Sequence, residues 1–112
     1  MPRNKYHAQP TTIDGIRFDS KREAARYLEL KLLHLAGVIH KLQVHPRYVL
    51  LEPFECKGVK YRGIFYEGDF EYYENGQRVC EDVKGMKTQV FRIKEKLFVN
   101  RYGDEIELRV VK

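Results

Sequence analysis

An Asn-Gly dipeptide near the middle of a 112-residue chain constrains its fold more than any other feature. Gly68-Asp69-Phe70-Glu71-Tyr72-Tyr73 precedes it, and Val79-Cys80-Glu81-Asp82-Val83-Lys84-Gly85 follows it. Alternating aromatics in the first segment and β-branched residues in the second read as strands, and Asn75-Gly76 between them is the strongest short signal for a hairpin. A two-residue turn there pairs Tyr73 with Arg78. Counting back, Asp69 falls opposite Asp82 and Glu67 opposite Lys84. Side chains alternate with period two, so Asp69, Asp82 and Lys84 share one face. Glu81 is the rival carboxylate, but parity sends it to the other face with Phe70, Tyr72, Val79 and Val83, where it needs a partner the sequence does not identify.

Two carboxylates facing each other destabilise a hairpin. At ~5 Å, with an effective dielectric of roughly 20, the repulsion is about 3 kcal/mol. Asp is also depleted in strands. An arrangement kept against these costs points to a cation between the carboxylates, and magnesium is the natural choice for a carboxylate-only site. The bland alternatives are a solvated strand for Asp69 and simple neutralisation of Glu67 by Lys84.

The rest of the chain builds outward from that hairpin. Thr11 to Phe18 reads as a small hairpin turning at Asp14-Gly15. Ser20 opens a helix that runs to Ala36 and stops at Gly37, with Ala24, Leu28, Leu32 and Leu35 as its core-facing stripe. His45 to Leu51 is a strand entered through Pro46. After a turn around Lys57-Gly58, an extended run from Lys60 to Tyr73 is too long for one strand, so a bend at Gly63 or Gly68 is expected. Gly85 breaks the chain before a second helix from Thr88 to Arg101, its buried stripe formed by Val90, Ile93 and Leu97 with Phe98. Glu105 to Val111 is a closing strand. The order is hairpin, helix, three strands, helix, strand, an α/β pattern. Residues 1–10 read as a flexible basic tail and 11–112 as one domain, since a chain of this length has no room for a second core.

Charge is unevenly placed. Lys84 to Arg101 holds six basic residues and one acid, and so carries the whole net charge of +5. A solvated helix face is one reading of such a run; a phosphate-binding surface is the other, and its position just after the carboxylate pair favours the second. The six aromatics from Tyr61 to Tyr73 suit core packing better than base stacking. No apolar run approaches membrane-spanning length and no signal peptide opens the sequence, so a cytoplasmic protein without membrane contact is expected. Cys56 and Cys80 have no metal-ligand spacing and are expected as free thiols. His7, His34, His40 and His45 form no ligand pair, which argues against zinc.

Asp69 followed by Asp82-Val83-Lys84 resembles the PD-(D/E)XK nuclease pattern of one carboxylate, then a carboxylate-x-lysine. The element order from Ser20 onward is similar to the restriction-endonuclease-like αβββαβ core of that superfamily, a mixed central sheet flanked by helices, here with an N-terminal β-hairpin. Thr12-Ile13-Asp14-Gly15, Phe18-Asp19-Ser20-Lys21-Arg22-Glu23-Ala24, Gly68-Asp69-Phe70 and Glu81-Asp82-Val83-Lys84-Gly85 resemble a phage group called domain-of-unknown-function family 1064. That likeness covers nearly the whole chain. One departure is Gly68, which stands where the superfamily motif has proline.

The resemblance implies a magnesium-dependent endonuclease acting on DNA, with manganese able to substitute. Asp69 and Asp82, with the Val83 carbonyl, would hold the metal, and Lys84 would orient the attacking water and offset charge on the phosphate. Related nucleases carry an acid on the first helix, which selects Glu23. Against that, Ser20-Lys21-Arg22-Glu23 is a capping box in which Glu23 only satisfies the helix start. Lys87, Gln89, Arg92, Lys94 and Lys96 are candidates for phosphate contact. Likeness to archaeal junction resolvases and to a transposase-associated nuclease subunit suggests branched DNA, such as a Holliday junction, in phage recombination or replication, with phage proteins as partners. A two-fold dimer would suit paired cuts. The alternatives are a non-catalytic DNA-binding subunit and an RNA-directed nuclease.

Overall fold

The structure, a computed structural model, describes residues 9–112; the expected tail lies almost wholly outside the described residues. Three two-residue turns set the local architecture. Asp14-Gly15 joins β1 (Thr11–Ile13) to β2 (Ile16–Phe18). The helix α1 (Lys21–Leu35) follows, then β3 (His40–Val44) and β4 (Arg47–Leu51). Lys57-Gly58 joins β5 (Phe54–Cys56) to β6 (Val59–Tyr61), and β7 (Ile64–Glu67) comes next. Asn75-Gly76 joins β8 (Phe70–Glu74) to β9 (Gln77–Val83). Both residues of each turn have φ between 50° and 78°, the type I′ geometry that matches strand twist. The chain ends with α2 (Gln89–Tyr102) and β10 (Ile106–Val111).

The main sheet is mixed, in the order β10-β9-β8-β3. β9 runs parallel to β10 across the α2 crossover, while β8 is antiparallel to both β9 and β3. Tyr73 pairs with Arg78 and Phe70 with Glu81, the register expected from the Asn-Gly turn. β4 and β7 pair antiparallel in a ladder of their own, because each of the two long strands bends once. The expected strand from His45 to Leu51 is β4, which begins at Arg47, and β3 precedes it as a strand that was not expected. Lys41 and His45, both with φ of 55°, break the alternation that would have revealed β3. The long run ending at Tyr73 breaks at both glycines rather than at one, giving β6, β7 and β8. Glu67 leaves the expected pairing with Lys84 and sits opposite Arg47 instead.

The two sheet faces carry different cores. Phe70, Tyr72 and Val79 pack with Phe18 and with Ala24, Tyr27 and Leu30 of α1. On the other face, Cys80 and Ile106 pack with Tyr48, Leu50 and Tyr66 and with Phe91 and Phe98 of α2. The molecule is therefore an α/β fold with a helix on each side of a mixed sheet. β5 and β6 stand apart as a two-stranded arm, exposed along its whole length, with Phe54 and Tyr61 stacked at 4.9 Å.

Both helix boundaries follow their caps. Ser20 Oγ accepts from Glu23 N–H, and α1 ends in a Schellman motif at Gly37, where Val38 N–H donates to Leu33 O and Gly37 N–H to His34 O. The buried stripes differ from expectation. Leu28, Leu32 and Leu35 are exposed, and α1 instead turns Glu23, Ala24, Tyr27 and Leu30 inward. On α2, Val90, Ile93 and Leu97 face outward while Phe91 and Phe98 are buried. Aromatic packing decides both cases: Tyr27 lies 5.0 Å from Phe18, and Phe98 lies 5.0 Å from Tyr48 and 5.2 Å from Tyr66.

Candidate active site

The bends of the two long strands sit side by side and are tied together. His45 N–H donates to Asp69 O at 2.9 Å, Gly68 N–H to Pro46 O at 2.9 Å, and Asp69 N–H to Glu81 O at 3.1 Å. A Cβ on Gly68 would meet Cys80 Sγ at 2.6 Å, too close for any side chain, proline included. Glycine at position 68 therefore has a steric cause.

At this bend the Asp69 carboxylate replaces a ladder partner: its Oδ2 accepts from Val83 N–H at 2.6 Å. Burial first, then the neighbouring Asp82 carboxyl, pushes Asp69 up to about 8, against the opposing pull of Val83 N–H. Asp82 is itself buried. Tyr66 OH donates to its Oδ2, and Lys84 Nζ lies 3.4 Å from its Oδ1. The Lys84 ammonium also stands 4.8 Å from the centre of the Phe91 ring, and its backbone N–H is anchored on Val111 O at 2.8 Å.

Glu23 reaches the same place from α1. Its backbone N–H completes one half of the capping box on Ser20, but its carboxylate does not return to the helix start. Oε1 lies 3.1 Å from His45 Nε2 instead. The carboxyl is raised above its ordinary range by burial, with the Asp19 and Asp82 charges adding to the effect and His45 opposing it.

Two clefts meet at Lys84 and Thr88. One, of about 410 Å³, is lined by Glu23, Asp69, Val83 and Lys84 together with the Ser20 helix start. The other, of about 260 Å³, is lined by Asp82, Lys84 and Lys94, with Tyr66 and Glu67 beside them. Four expected site residues thus line one cleft, with Asp82 and Lys94 in the next. Gln89, Arg92 and Lys96 do not reach either cleft; they flank a separate groove on α2 with Ile93 and Leu97. Lys87 is paired with Glu95 at 3.1 Å. Among the described residues, no cluster of three or more His, Cys, Asp or Glu side chains is placed to hold a metal ion.

Three participants escaped the sequence reading. Arg26 is the missing partner of Glu81: its Nε and Nη2 donate to the two carboxylate oxygens at 2.7 and 2.8 Å, and Tyr72 OH adds a third bond. A buried carboxylate needs a cation, so the demand was visible, but α1 offers several basic residues and parity does not choose among them. Tyr66 and His45 left no signal, since both depend on where the bent strands cross.

Fold and site together define an α/β protein with a mixed sheet between two helices and a carboxylate pair at a strand bend. The chain belongs to the family described as Protein of unknown function (DUF1064), whose model matches residues 3–112. No curated protein and no solved structure matches it. Cys56 and Cys80 are both free thiols, and no helix among the described residues is long and apolar enough to cross a membrane.

Proposed function

We propose that the protein is a small magnesium-dependent DNA endonuclease of the PD-(D/E)XK type, built on a restriction-endonuclease-like core. The observation that carries this reading is the convergence of Glu23, Asp69, Val83 and Lys84 on one cleft, with Asp82 beside Asp69 and bound to the same lysine. Asp69 is held far above its ordinary range by burial and then by the Asp82 carboxyl, a setting in which a bound cation would favour the ionised form. The donor set is all oxygen and sparse. That suits magnesium, which keeps several waters and needs only one or two carboxylates, better than zinc or calcium.

Bound there, magnesium would supply an activated water and neutralise charge on the phosphoryl oxygens. The chain's own residues do the rest. Val83 N–H fixes the direction of the Asp69 carboxylate, and Tyr66 fixes that of Asp82. Lys84, between the two clefts, offers its ammonium to the scissile phosphate and to the attacking water. Lys94, lining the adjoining cleft, gives a second cation for the strand. Arg92 and Lys96, on the separate groove of α2, offer further cations for duplex backbone. Branched replication or recombination intermediates, in the cytoplasm of a phage-infected host, are the substrates this reading favours. The two free thiols fit such a reducing compartment.

The test is strand cleavage of a labelled four-way junction beside linear duplex, single-stranded DNA and RNA, in magnesium and then in EDTA. Cutting should require magnesium and fall about 10²-fold or more in Asp82→Asn. Junction binding without cleavage in magnesium or manganese would overturn the enzymatic reading in favour of a DNA-binding subunit. A preference for RNA would overturn the substrate class.

A further inference from the structure

We infer that His45 is a positioning residue that sets the direction of the Glu23 carboxylate toward the Asp69–Asp82 pair. The inference rests on the metal-dependent reading of the site. Its ground is one residue making two connections. The His45 backbone N–H donates to Asp69 O at 2.9 Å, and its Nε2 lies 3.1 Å from Glu23 Oε1. One residue thus joins the carboxylate borne by α1 to the strand bend that carries Asp69.

His45 does this from an unfavourable backbone state. Its φ of 55° lies in the left-handed region, where a residue with a Cβ costs on the order of 1 kcal/mol more than glycine. A left-handed bend alone would be better served by glycine. What glycine could not supply is the imidazole. Without it, the Glu23 carboxylate would have the Ser20 backbone N–H of the capping box as its nearest local partner. With it, Oε1 is drawn to His45, while Oε2 has no hydrogen bond among the described residues, in a side chain that lines the same cleft as Asp69. Packing against Phe18, at 5.8 Å between ring centres, holds the imidazole in place. Groups of this kind behind a ligating carboxylate are worth about 10- to 100-fold in metal affinity.

The experiment is a manganese titration of the full chain followed by electron paramagnetic resonance, with wild type, His45→Gly, His45→Gln and Glu23→Gln side by side. Glycine is at ease at this φ, so His45→Gly should keep the wild-type circular dichroism spectrum and melting temperature while binding manganese about tenfold more weakly. His45→Gln, whose amide can reach Glu23, should recover most of that loss. Manganese binding equal to wild type in His45→Gly, with Glu23→Gln weakened, would overturn the inference and leave the metal reading standing. Unaltered binding in both would reduce Glu23 to a helix cap and overturn it as well. Weakening in His45→Gly that Gln does not restore would assign the effect to the backbone and overturn it too. A wild type that binds no manganese would bring down the proposed function itself, and the inference with it.

Discussion

Asp69 sits where burial and a second carboxyl both oppose its ionisation, and the consequence is a pH dependence of definite sign. Burial first, then the Asp82 carboxyl, pushes the Asp69 carboxyl up from the ordinary 3.8 to about 8 in the fold. The folded protein therefore keeps a proton that the unfolded chain has released. This stabilisation is complete below about pH 4 and is lost as pH rises through 8. Glu23, also raised by burial, adds in the same direction. Calorimetry in EDTA should show the melting temperature falling between pH 5 and 8, with a shallower fall in Asp69→Asn. A slope unchanged by that substitution would remove Asp69 as its source. That Asp69 and Asp82 are neighbours was legible in the sequence, because the Asn75-Gly76 turn fixes the register as far as Phe70 and Glu81; the ladder ends there, and Asp69 lies at the bend beyond it. The Glu23–His45 contact was not, because it depends on a single left-handed residue between two strands, which alternation arguments pass over.

At the scale of elements, α1 is held to the sheet by a charge pair as well as by its aromatic and aliphatic side chains. Glu81 is wholly buried, and Arg26 grips it with two nitrogens. Removing one partner leaves the other's charge uncompensated, so Arg26→Ala should cost about 3–5 kcal/mol in urea unfolding. Replacing both by leucine should return much of that loss. A cost below ~1 kcal/mol for Arg26→Ala would mean that water replaces the guanidinium. Where the helices begin and end was readable from Ser20, Gly37, Thr88 and Gly103, each of which acts locally. Which face they bury was not. Both helices carry two plausible stripes, and the choice falls to the aromatic side chains that meet Phe18, Tyr48 and Tyr66 from elsewhere in the chain.

At the scale of the whole molecule, the basic run divides between two surfaces rather than forming one. Lys84 and Lys94 line the clefts, while Arg92 and Lys96 flank a groove elsewhere on α2. If duplex DNA spans both surfaces, Arg92→Ala with Lys96→Ala should lower the salt dependence of binding by about two counterions, leaving cleavage at saturating DNA unchanged. Lys94→Ala should lower both. Fluorescence anisotropy across a salt series measures the slope, and an unchanged slope in the double variant would confine DNA to the clefts. The net charge was plain from composition, but its division required knowing how α2 is rotated against the sheet.

The projecting β5–β6 arm has a practical consequence. Cys56 is exposed at its turn, whereas Cys80 is buried in the core with its thiol pushed up to about 12 by burial. Maleimide chemistry on the native chain should therefore mark one position only, with no cysteine needing removal. A dye at Cys56 would report where the arm lies when a nucleic acid is bound, at a point that none of the proposed chemistry touches.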